Sequence, residues 1–141
     1  MTLHRTLLTT AVLLASSGVI AQAGSGVSLV SSGTLRDLSG ATVGQVSIER
    51  QRGVTYVRVS QAEKATGATL ELLVSPSTRA LRTGDHGGPG QGAVRAGLIE
   101  QAHVRYALPA SVRPEGLRSV WVWCRSVRLP SARAQLFRAR S

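Results

Sequence analysis

Cysteine occurs once in this chain, at Cys124, which leaves no partner for an internal disulfide. Methionine occurs only as Met1, so no thioether is left to ligate a metal or haem. Lysine occurs once, at Lys64, against sixteen arginines, and the acidic residues number 7. Aromatic residues make up 4%, namely Phe137, Trp121, Trp123, Tyr56 and Tyr106, too few for an extended base-stacking platform. No C-x-x-C-H segment, no G-x-S-x-G elbow and no glycine-rich loop ending in Lys-Ser/Thr is present, which argues against c-type haem, hydrolase and nucleotide-triphosphate chemistry. Paired carboxylates are also wanting: Glu49, Glu63, Glu71, Glu100 and Glu115 are scattered among turns and strands.

What is present begins with a segment outside the fold. His4 and Arg5 precede an apolar run from Leu7 to Ala15, and Ala21-Gln22-Ala23 offers the small-x-small pattern of signal cleavage. Residues 1–23 are therefore expected to be a signal peptide, with residues 24–32 as a flexible leader and 33–138 as one domain. The run is too short and too rich in Ser and Thr to span a bilayer comfortably, a membrane anchor being the rival reading, and no transmembrane helix is expected in the mature chain. The product is expected in the periplasm, associated with the cell envelope, or secreted. The full chain carries +10, and loss of residues 1–23 removes only Arg5 among the charges, leaving +9. Such a charge draws the protein toward anionic polymers or surfaces at low salt.

About 118 residues then suffice for one core. Val27–Leu35 reads as a first strand, weakened by Gly33, and Leu38-Ser39-Gly40 as a turn. Val43–Glu49 and Val54–Val59 alternate around Arg50-Gln51-Arg52-Gly53 and predict a hairpin. Ala62–Gly67 reads as a loop or one helical turn, Thr69–Val74 as a strand, Ala80-Leu81-Arg82 as a short strand, and Gly84–Gly92 as a surface loop. Ala93–Leu98, His103–Leu108 and Ala132–Arg138 complete the set, the last with Leu136 inward. Seven to ten short strands without a convincing helix predict an all-β antiparallel β-sandwich.

The organising stretch is Ser119–Leu129, S-V-W-V-W-C-R-S-V-R-L. Alternation gives one face Trp121, Trp123, Arg125, Val127 and Leu129, and the other Val120, Val122, Cys124, Ser126 and Arg128. Both faces of its first half are apolar, as in a central strand covered on two sides. Pro130 should stop or bend the pairing. On this pattern Cys124 reads either as a small buried hydrophobe beside Val120 and Val122, or as a thiol tuned by Arg125 or Arg128.

Tyr106-Ala107-Leu108-Pro109, Ser119-Val120-Trp121-Val122-Trp123-Cys124 and Ala134-Gln135-Leu136 together resemble the C-terminal signature of the DM-thirteen domain, described as an electron-transfer domain of Skeletor-type and DOMON-associated proteins. Gly33-Thr34-Leu35 with Gly44, Gly67-Ala68-Thr69-Leu70 and Ala96-Gly97-Leu98 resemble its earlier elements. The chain departs from that pattern at Leu35, Gly40, Ala68, Thr69 and Ala102, where the family carries phenylalanine, histidine, proline, aspartate and glycine. The resemblance implies a β-sandwich and a redox thiol at Cys124, with an unnamed redox partner or envelope component.

Other ligand chemistry is weakly represented. His86, His103, Asp85 and Cys124 contain the donor types of a blue-copper centre, but no His or Met follows Cys124 in the required place, and no metal site is expected. A b-type haem on His86 or His103 has no further pattern behind it, and the cofactor is left open. Recurrent arginines read as a solvated outer face or as a surface for anionic polymers, with nucleic acid disfavoured. Three functions follow: a redox module using Cys124, a non-catalytic binding or envelope-associated module, and an electrostatic binder of polyanions.

Overall fold

The computed structural model describes residues 26–61, 69–79 and 92–140. The expected signal peptide, the loops around Lys64 and Gly84, and the short strand at Ala80–Arg82 lie outside them wholly or in large part.

Nine strands form the described fold: β1 (Val27–Asp37), β2 (Thr42–Gln51), β3 (Val54–Gln61), β4 (Leu70–Ser75), β5 (Val94–Leu98), β6 (His103–Ala107), β7 (Ser119–Cys124), β8 (Leu129–Gln135) and β9 (Phe137–Arg138). They belong to one antiparallel sheet of order β5-β4-β7-β8-β1-β2-β3-β6, with β9 on β1. The sheet is nearly closed into a barrel, so the two layers of the expected sandwich are opposite walls of one continuous sheet. The only helical turn among the described residues is 3₁₀, Pro114–Gly116, opened by proline and without a side-chain cap.

Local sequence accounts for most of these elements. β2 and β3 pair from Gly44↔Gln61 to Gln51↔Val54 around Arg52-Gly53, both at positive φ (50° and 76°), which matches the twist of a two-residue hairpin. Val46, Ile48, Val57 and Val59 alternate inward and are buried. β1 begins at Val27, so residues 27–32 are strand and not the leader expected over 24–32.

Two apolar clusters use opposite faces of the wall. The interior holds Leu35, Ile48, Val57, Leu72, Val74, Val120, Val122 and Ala134 among others. Leu73, Trp121 and Trp123 form a second buried cluster on the other face. β7 therefore lies between β4 and β8 with both faces covered, as its apolar alternation requires.

The expected extension of that strand to Leu129 does not occur. β7 stops at Cys124, and residues 125–128 turn back into β8, with Arg128 at φ 54°. Val127 and Leu129 are exposed instead of continuing the Trp121–Trp123 face. Pro130 bends the ladder as expected: pairing shifts between Val122↔Ala132 and Trp123↔Pro130, and the extra residue, Ser131, turns its hydroxyl to the Val122 carbonyl at 3.3 Å.

Candidate functional site: an arginine-lined groove beside β1

β1 and β8 pair edge to edge over a short stretch. Only Arg36↔Arg133 and Asp37↔Ala132 pair there, while Ser31↔Arg138 and Ser32↔Phe137 pair β1 with β9. Between these two zippers the Leu136 amide bonds to the Arg118 carbonyl, at 2.8 Å, instead of to β1. Gly33 lies opposite this break, and any Cβ there would collide with the Gln135 carbonyl. Glycine thus permits the close backbone approach, and beside it lies a groove of about 850 Å³, lined by Thr34, Arg36, Gln45, Trp121, Arg133 and Phe137 among others.

Its electrostatics are one-sided. Arg36 and Arg133 stand directly opposite each other on neighbouring strands, an arrangement of like charges that costs stability. Arg36 donates to the Gly40 carbonyl at 3.1 Å and the Thr42 hydroxyl at 3.3 Å, and the Arg133 guanidinium lies 5.3 Å from the Trp121 ring centre. Neither makes an ion pair among the described residues. Asp37, the one acid in the lining, is committed to its own turn. It accepts from the Ser39 hydroxyl at 2.6 Å and from the Ser39 and Ala41 amides, and these bonds, the hydroxyl first, hold its pKa below the usual aspartate value.

A second cavity, of about 590 Å³, adjoins the first at Gln135 and Phe137, which line both. Arg79, Arg118 and Arg138 border it, again without a carboxylate partner among the described residues. Phe137 stands 63% exposed at this junction.

Five arginines elsewhere are matched to acids, whereas Arg52, Arg113, Arg128 and Arg140 make no ion pair among the described residues. Glu49, only 8% exposed, takes Arg58 at 2.9 Å and Arg105 at 3.4 Å, with Arg105 stacked 3.5 Å from the Tyr56 ring centre. Glu71 takes Arg95 at 2.9 Å and Arg125 at 3.5 Å, and Glu115 takes Arg50 at 3.3 Å. These three glutamates are thus committed away from the groove.

Cys124 sits apart, at the end of β7. It is half-buried against the same interior as Val120 and Val122, so the expected face is correct, but it lies at the rim and not in a dry pocket. Its sulfur is 3.2 Å from the Ser126 hydroxyl. That hydroxyl, followed by the Val127 backbone amide, holds the thiol pKa below its ordinary value, partly opposed by burial. Arg125 is turned away to Glu71, and neither arginine considered from the sequence is a cause of the shift.

Among the described residues no three His, Cys, Asp or Glu side chains gather as a metal-binding group, and no helix is long and apolar enough to cross a membrane. His103 is exposed at the start of β6, paired with Ser60. His86 and Asp85 lie outside the described residues. The groove itself was missed from the sequence, because Arg36, Arg133 and Phe137 meet only through the pairing of β1 with the chain's last strands. Searches of family models, curated proteins and solved structures return no match for this chain.

Proposed function

We propose that this protein is an exported, non-catalytic binding module that takes an anionic ligand, polymeric or surface-bound, in the groove beside β1. The observation that carries the reading is the Arg36–Arg133 pair: two arginines at facing register positions, both lining the groove and neither in an ion pair among the described residues. A ligand carboxylate, sulfate or phosphate would give these arginines bidentate, charge-assisted hydrogen bonds. The cell envelope supplies such anions, and export follows from the Ala21-Gln22-Ala23 pattern after an apolar run.

The test compares two double variants of equal charge on a heparin column under a salt gradient. Arg36→Gln/Arg133→Gln should elute at clearly lower salt than Arg52→Gln/Arg113→Gln, whose arginines lie outside the groove. Equal elution would mean that net charge alone governs retention and would remove the groove.

A second reading is redox exchange through Cys124, and the lowered thiol pKa favours it. It accords with the resemblance to the DM-thirteen domain, which remains a proposal resting on the segments around Tyr106, Trp123–Cys124 and Leu136. A redox partner would have to reach the β7–β8 turn, where Cys124 and the exposed Val127 lie.

A further inference from the structure

Resting on the anion-binding reading of the groove, we infer that its ligand is a linear acidic polysaccharide laid across both cavities, which meet at Gln135 and Phe137. The two arginine groups adjoin: Arg36 and Arg133 line the first cavity, Arg79, Arg118 and Arg138 the second, and Gln135 and Phe137 line both. A single small anion meets one group only, whereas a chain of repeating acidic units engages both.

The lining between the charges selects the polymer. Ser32, Thr34, Gln45 and Gln135 are neutral donors and acceptors suited to hydroxyl groups, and Phe137 offers an exposed flat ring at the junction. Nucleic acid would call for successive stacking rings, and only one exposed aromatic lines the two cavities. An acidic peptide adds most readily as a strand on a free sheet edge. β1 offers little such edge, being flanked by β2 on one side and by β8 and β9 on the other. Sugar rings with carboxylates fit the combination of guanidinium, amide, hydroxyl and one aromatic face.

The experiment titrates the purified protein with an oligogalacturonate long enough to span the groove, its monosaccharide, an oligoglutamate and an oligothymidylate of matched charge. The oligogalacturonate should bind at least about tenfold more tightly than any of the other three. Phe137→Ala, at an exposed position, should weaken the oligogalacturonate by about fivefold and leave the oligoglutamate unchanged. Equal binding of all three polymers, with no effect of Phe137→Ala, overturns the polysaccharide while leaving the anion groove in place. Tightest binding of the oligothymidylate or the oligoglutamate overturns it in favour of that class. Binding by none of the ligands removes both the polysaccharide and the groove reading.

Discussion

The ring of Tyr106 lies across Gly97, its nearest atom 2.8 Å from the point where a Cβ would stand. The two residues belong to β6 and β5, the end strands of the sheet, so this contact closes the barrel where no ladder does. The Tyr106 hydroxyl also donates to the Leu98 carbonyl. Gly97→Ala should displace the ring and cost about 1–3 kcal/mol as an overpacked contact. Tyr106→Phe should cost about 1 kcal/mol by losing one hydrogen bond. Urea midpoints measure both, and because the substitutions act on one contact, the double variant should lose less than the sum. Full additivity would show that the contact does not hold the seam.

Trp123 is buried with Leu73 and Trp121 on the face opposite the barrel interior. Trp123→Ala should cost about 3–5 kcal/mol, a large part of the stability of a domain this size. Trp121 should behave differently. Its indole donates to the Ser119 hydroxyl at 2.9 Å, which in turn donates to the Ser77 carbonyl, so Trp121→Phe removes a buried hydrogen bond while the hydroxyl keeps its bond to Ser77. An unchanged denaturation midpoint for Trp123→Ala would show that this second cluster carries no stability.

Strand existence was legible because alternation is local: Val46-Ser47-Ile48 and Val57-Arg58-Val59 declare their faces without tertiary help. The two-sided burial of Val120–Trp123 was equally plain. The end of β7 was not, since Arg125-Ser126-Val127-Arg128 keeps a strand-like alternation and contains neither Gly nor Pro to mark a turn. Closure was hidden for another reason: Tyr106 and Gly97 meet through a side chain, and nothing in either strand's pattern announces a cross-seam contact. The groove depends on residues about a hundred positions apart in sequence, so only the fold could assemble it.

Cys124 separates the two functional readings most directly. Its thiol is held below the ordinary value mainly by the Ser126 hydroxyl and then by the Val127 amide, both of which stabilise the thiolate. A depressed folded-state pKa contributes stability that is fully present above the unfolded value and is lost as pH falls through the folded one, so the window lies below the free-thiol pKa of about 8.5. The rate of iodoacetamide alkylation on folded protein should accordingly rise with a midpoint below that value. Ser126→Ala should move the midpoint upward, whereas Arg128→Gln should leave it in place, because the arginine is not a cause of the shift. A thiol that reacts only after unfolding would remove the redox reading, since no partner could reach it. Cys124→Ser should leave retention on the anionic column unchanged, because Cys124 lines neither arginine-bordered cavity. If that variant lost anion binding as well, the thiol and the groove would have to be treated as one site, and the separation drawn between them would fail.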